Sequence, residues 1–128
     1  MPAKRRAQNK PAVVNTSIKP ITNETELDEL LSTPAPGLIE FMGKLKGDLL
    51  ILGTGGKVGH TMARMATRAV KASGAKRRVI GVDTFPADEV RKKLDKLGVE
   101  THKADLMKPG VLEQLPDAEN VLYMVGLK

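Results

Sequence analysis

The chain has 128 residues, a net charge of +6, no cysteine, no tryptophan, two phenylalanines and one tyrosine. That length holds one domain with a real core. The composition excludes disulfides, thiol nucleophiles and cysteine-based metal sites, and no apolar run approaches the ~20 residues of a membrane helix.

The lack of cysteine suits a reducing compartment, and the first residues lack the apolar core of a secretory signal, so a cytoplasmic chain is expected. The charge is not spread over the chain. Lys4, Arg5, Arg6, Lys10 and Lys19 all precede the first acid, Glu24, and beyond that point basic and acidic residues nearly balance. With so few aromatics to stack on bases, neither a nucleic-acid nor a membrane partner is expected.

Residues 1–21 are polar, basic and punctuated by Pro2, Pro11 and Pro20, and read as a disordered tail. Residues 22–47 read as a helical leader. Thr22-Asn23 caps a short helix with its carboxylates near the start, which suits the helix dipole. Leu27, Leu30 and Leu31 make its expected apolar stripe. Ser32-Thr33-Pro34-Ala35-Pro36 breaks it, and a second helix is expected from about Gly37 to Lys44, with Leu38, Phe41 and Met42 inward.

The stretch from Leu49 to His60 organises the rest. Leu49-Leu50-Ile51-Leu52 runs into Gly53-Thr54-Gly55-Gly56, and a helical pattern follows at once. Strand, glycine turn and helix open a dinucleotide-binding unit. One glycine turns the chain off the strand, one lets backbone approach a pyrophosphate, and one lets the helix lie close on the strand. The spacing is G-x-x-G-x-x-G, from Gly53, Gly56 and Gly59. A phosphate loop of the G-x-x-x-x-G-K-[ST] type is excluded, because Ile51 and Val58 stand where its first glycine and its Ser/Thr belong.

The helix behind the turn is expected to end at Ser73-Gly74. Val58, Met62, Met65, Ala66 and Ala69 form its expected apolar face, with Lys57, His60, Arg64, Arg68 and Lys71 opposite. Arg68 and Lys71 read as solvated. Lys57 and His60 are cations in a first turn, which an anion bound there would favour.

Arg77 to Asp83 reads as a second strand ending on an acid. Asp83 follows Gly59 at roughly the 20-residue interval where a ribose-binding carboxylate belongs. Its oxygens would accept from the ribose hydroxyls and repel a 2′-phosphate, so NAD is favoured over NADP. Pro86 to about Leu97 reads as a helix stopped by Gly98, and Val99 to Ala104 as a polar edge strand with a solvated His102. Asp105-Leu106 follows, and Lys108-Pro109-Gly110 opens a short helix through Leu115. Asn120 to Gly126 reads as a fourth strand, with Tyr123 packed inside it.

This order resembles the N-terminal half of the short-chain dehydrogenase/reductase superfamily, and its extended branch most, the NAD-dependent epimerase/dehydratases. The match runs over residues 48–126. The resemblance implies a Rossmann-type α/β fold with a parallel sheet in the order 3-2-1-4. It implies that the Lys57 and Val58 amides face the pyrophosphate and that Asp83 holds the adenosine ribose. Asp105 would reach the adenine amino group with Leu106 beside the ring, and Met124-Val125-Gly126 would line the floor.

Such enzymes move a proton with a Tyr-x-x-x-Lys pair. The only tyrosine here is Tyr123, and position 127 is leucine. No catalytic residue and no metal ligand is therefore assigned. The expected function is the NAD-binding portion of an oxidoreductase acting on a nucleotide sugar or another small carbonyl or hydroxyl compound, with the catalytic half missing from this chain. Two alternatives stand beside it: a non-catalytic NAD-sensing module that works through a protein partner, and a glycine turn that binds nothing. The strand near 120–126 would be an apolar edge, an open route to self-association or to a protein partner.

Overall fold

A computed structural model describes residues 19–126; most of the basic tail, and position 127, lie outside the described residues. The elements are α1 (Glu24–Leu31), α2 (Pro36–Lys44), β1 (Leu49–Leu52), α3 (Lys57–Ser73), β2 (Val79–Asp83), α4 (Asp88–Leu97), β3 (Glu100–Lys103) and β4 (Asn120–Tyr123), with one 3-10 turn at Leu112–Gln114. The four strands form one parallel sheet in the order β3-β2-β1-β4, as expected from the sequence. No helix among the described residues is long and apolar enough to cross a membrane.

β1 is apolar at every position because both of its faces are covered. Leu49 and Ile51 join the core under α3, together with Val79, Phe85, Leu94 and Val99. Leu50 and Leu52 face the other way, with Ile80 and Val82. That second face is covered by Ala104, Leu106, Leu115 and Ala118 of the β3–β4 connection. Ile51 and Ile80 are fully buried, and each contributes about 1.5–3 kcal/mol of transfer free energy.

α3 presents small residues to the sheet. Gly59, Ala63, Ala66, Thr67, Ala69 and Val70 are its buried positions. Val58, expected on that face, is 63% exposed. The stripe is phased on Gly59, and a residue one position away points about 100° off it. The helix ends at Gly74, whose φ of 75° is the left-handed stop expected there.

The leader departs further from expectation. Asn23 does cap α1, accepting from the Glu26 N–H at 2.9 Å, while Glu26 accepts from the Thr22 N–H at 2.8 Å. Yet Leu27, Leu30 and Leu31 are exposed. Polar contacts hold α1 instead. Arg64 and Arg68 of α3 pair with Glu29 at 2.8 and 2.6 Å, and Arg68 also donates to the buried Ser32 hydroxyl at 3.0 Å. Arg68 is thus a strut and not a solvated cation, and Lys71 donates to the Leu97 carbonyl at the end of α4. In α2, Met42 is buried as expected but Phe41 is exposed.

Several boundaries differ. α4 starts at Asp88, after the turn that begins at Pro86, and the helix expected from Lys108 is only the 3-10 turn. β4 ends at Tyr123, and Tyr123 is 70% exposed. Among the described residues the strand has a neighbour on one side only, so a ring on it is not enclosed there.

Candidate functional site

The site is built at the C-terminal ends of the strands, where the sheet order reverses between β1 and β4. In open parallel sheets that reversal leaves a crevice. The glycine turn closes one wall. Gly53 donates to the Val82 carbonyl at 2.8 Å, which draws the turn over the end of β2. Its φ is 96°, and a Cβ there would stand 2.8 Å from the Met124 carbonyl carbon. Only glycine satisfies both conditions. Gly59 meets a different constraint: a Cβ on it would strike the Gly53 carbonyl oxygen, so the first turn of α3 can rest on the strand end only without a side chain.

α3 then begins without a side-chain cap. Gly56 is its N-cap, and the first intrahelical bond runs from the His60 N–H to the Gly56 carbonyl at 3.0 Å. The Lys57, Val58 and Gly59 amides precede that bond, and no acidic residue stands in the first turn. A 17-residue helix with open amides and an unopposed dipole end favours an anion at that point.

Asp83 ends β2 beside the turn. Its Oδ2 accepts from the Gly55 N–H at 2.7 Å, and its Oδ1 accepts from the Phe85 N–H and the Thr84 hydroxyl, each at 3.2 Å. Phe85 adopts φ 44° with its ring fully buried. That left-handed conformation is costly for a non-glycine and lies directly beside the bond from the Phe85 N–H to the carboxylate. Asp105 follows β3. Its Oδ1 accepts from the Met107 N–H at 3.0 Å, a local turn that fixes the carboxylate, and its other oxygen has no donor among the described residues.

The turn glycines and the two carboxylates share one cleft of about 440 Å³. Of the residues singled out in the sequence, Gly53, Gly56, Asp83, Asp105, Leu106, Val125 and Gly126 line it. Lys57, Val58 and Gly59 do not, and neither does His60. Val58 points outward and Gly59 is buried beneath the turn, so the start of α3 stands beside the cleft and not in its lining. The cleft also includes Thr84, Met107, Leu112 and Tyr123, which the sequence reading left out. Met107 had a local signal, since it directly follows Asp105-Leu106. Tyr123 reads as packed inside its strand, although the expected order already puts that strand at an open edge.

A second groove of about 480 Å³ lies between α2, α3 and β4, lined by Phe41, Met62, Met65 and Leu122 among others. Its one carboxylate, Glu119, is engaged with the Asp48 N–H at 2.7 Å. It therefore presents apolar surface and no poised polar group.

The donor set fits a dinucleotide. Open amides at a helix start suit a pyrophosphate, a carboxylate beside them suits a ribose diol, and a carboxylate with a spare oxygen suits an amino group. Comparison of the chain with protein-family models, with curated proteins and with solved structures finds no match.

Proposed function

We propose that this chain is the NAD-binding unit of an oxidoreductase resembling the NAD-dependent epimerase/dehydratases, acting on a nucleotide sugar or another small carbonyl or hydroxyl compound. One observation carries the reading. The glycine turn after β1, Asp83 at the end of β2, Asp105 after β3 and Val125-Gly126 after β4 converge on a single cleft at the reversal of strand order. Four separate chain segments supply it, each from a strand end.

Each group has a role by its chemistry. The Lys57 and Val58 amides hold the pyrophosphate at the start of α3. Asp83 accepts from the ribose hydroxyls and disfavours a 2′-phosphate, so NAD is preferred to NADP. Asp105 accepts from the adenine amino group, with Leu106 beside the ring. The nicotinamide supplies hydride transfer when the cofactor is bound. The chain's own part is binding and orientation, since its sole tyrosine has no lysine four positions on.

A second reading is favoured by β4. Among the described residues it pairs only with β1, and Asn120 to Gly126 carry no charge, whereas the other edge, β3, carries Glu100, His102 and Lys103. An uncharged open edge suits a protein partner, so the module would report NAD to that partner.

Titration calorimetry of the full chain with NAD and NADP tests the proposal. NAD binding with at least tenfold weaker NADP supports it. Absence of heat with millimolar NAD overturns it.

A further inference from the structure

We infer that Thr54 is the positioning residue of the glycine turn: its side chain fills the notch that Gly81 leaves in β2, and this seat sets the direction of the backbone amides that follow. The inference rests on the dinucleotide reading above and adds to it the contact that holds the turn ready before a ligand arrives.

Of the four residues between β1 and α3, Gly53-Thr54-Gly55-Gly56, only Thr54 has a side chain. Glycine backbone is the least restricted of all, so a turn made of it has little preferred direction of its own. Thr54 is fully buried, whereas Gly56 and Lys57 just beyond it are exposed. The one side chain of the turn points into the interior while the backbone after it lies at the surface.

Gly81 provides the space. It is the middle residue of β2, paired with Ile51 of β1 on one side and Thr101 of β3 on the other. Its φ lies outside the left-handed region, so the backbone there does not require glycine. Glycine weakens the interior of a strand and marks a close approach by another part of the chain. A Cβ on Gly81 would stand 2.9 Å from Thr54 Cγ2 and 3.0 Å from Thr54 Oγ1. The threonine therefore occupies the place of the missing side chain.

The flanking contacts continue the match along β2. The Thr54 N–H donates to the Val82 carbonyl at 3.3 Å, beside the bond from Gly53, and the Gly55 N–H donates to Asp83. On its other side Thr54 bears on α3, since a Cβ on Gly59 would come within 3.0 Å of the Thr54 Cα. Thr54 thus stands between β2 and the first turn of α3. A shift in it displaces the Gly55 amide and the Lys57 and Val58 amides together. Thr54 does not line the cleft, so it acts through those amides and not on a ligand. A turn ordered in advance spares binding the entropic cost of ordering it.

Shape, not hydrogen bonding, makes the seat. Thr54 Oγ1 is buried and has no hydrogen-bond partner among the described residues. An unpaired buried hydroxyl lowers stability. What the residue offers is a branched side chain stiff at χ1, with both γ atoms against Gly81. Valine has that shape without the hydroxyl.

The test is titration calorimetry of the full chain with ADP-ribose, with urea unfolding of the same samples, for the parent, Thr54→Ala, Thr54→Val, Gly81→Ala and the double variant Thr54→Ala/Gly81→Ala. Thr54→Ala and Gly81→Ala are each expected to weaken ADP-ribose about tenfold. Thr54→Val stays within about twofold of the parent and unfolds at higher urea. In the double variant two methyl groups face each other across 3.3 Å, and it loses less affinity than the two single losses combined. A merely structural role would lower the urea midpoint and leave the affinity of the folded protein unaltered. Thr54→Ala that is folded and binds like the parent therefore overturns the positioning role and leaves the dinucleotide reading in place. Thr54→Val as weak as Thr54→Ala also overturns it, because the hydroxyl would then be the acting group. Should Thr54→Ala not fold, Thr54→Val decides alone, with a tenfold loss overturning the role and parental affinity supporting it. No heat from the parent at millimolar ADP-ribose overturns the dinucleotide reading and this inference together.

Discussion

The Gly55 N–H donates to Asp83 Oδ2 at 2.7 Å, tying the glycine turn after β1 to the end of β2. The two residues are 28 positions apart in the chain. One carboxylate thus both shapes the turn and lines the cleft. Asp83→Asn keeps an acceptor for Gly55 but removes the charge. Hydrogen bonds to a charged group are worth about 1.5–3 kcal/mol, so NAD affinity falls at least tenfold. NADP, no longer repelled, loses less. Calorimetry on the variant checks both, and an unchanged NAD to NADP ratio contradicts the role.

The glycines of the turn separate by substitution. A Cβ on Gly56 meets nothing closer than the Gly53 carbonyl oxygen at 3.9 Å, so Gly56→Ala fits the unliganded fold. It stays within about 1 kcal/mol of the parent in urea unfolding, yet under the proposed NAD reading its methyl group obstructs the pyrophosphate and NAD binding is lost. Gly59→Ala forces α3 off the Gly53 carbonyl. That overpacking costs about 1–3 kcal/mol, and binding falls with stability.

α1 is attached by charge and not by its leucines. Arg68→Ala removes the Glu29 pair and the bond to the Ser32 hydroxyl together. The ion pair is partly exposed, so global stability drops by about 1 kcal/mol or less. Hydrogen exchange of the α1 amides rises, while β1 and α3 keep their protection. Equal loss of protection in all three elements contradicts this attachment.

Acid sensitivity has a named source. The Arg78 backbone N–H, at 2.9 Å, and then its guanidinium, at 2.7 Å, hold Asp48 below its ordinary value. Glu26 is lowered by the Thr22 N–H and hydroxyl. A carboxylate lowered in the folded state stabilises it above the unfolded value, about 3.9 for Asp. That contribution is lost as pH falls through the folded value. Melting temperature is therefore insensitive to these groups between about pH 7 and 5 and declines below about pH 4. Asp48→Asn shallows that decline, as thermal melts across the range will read; an unaltered acid limb contradicts the assignment.

The legible parts of the sequence were those decided locally. Four leucine and isoleucine residues before a glycine cluster specify a buried strand and a tight turn wherever they fold. Asp83 announces itself by ending an apolar strand, and the order of strands follows from the connections between them. Positions that depend on what lies opposite were not legible. Val58 is apolar but out of phase with the stripe set by Gly59. Leu27, Leu30 and Leu31 have helical spacing but stay exposed and outside the core. Tyr123 reads as a strand-core residue and stands in the open because its strand is an edge. Arg64 and Arg68 look like a solvent face until Glu29, from a separate helix, comes beside them.

The central claim is that a dinucleotide occupies the crevice between β1 and β4. An NMR titration of the isotopically labelled chain with NAD tests it residue by residue. The account predicts amide shifts concentrated at Gly55 to Gly59, at Asp83, at Asp105 to Met107 and at Val125, with the α2–α3 groove undisturbed. A spectrum unmoved by millimolar NAD, or shifts centred on Phe41, Met62 and Met65, would contradict it.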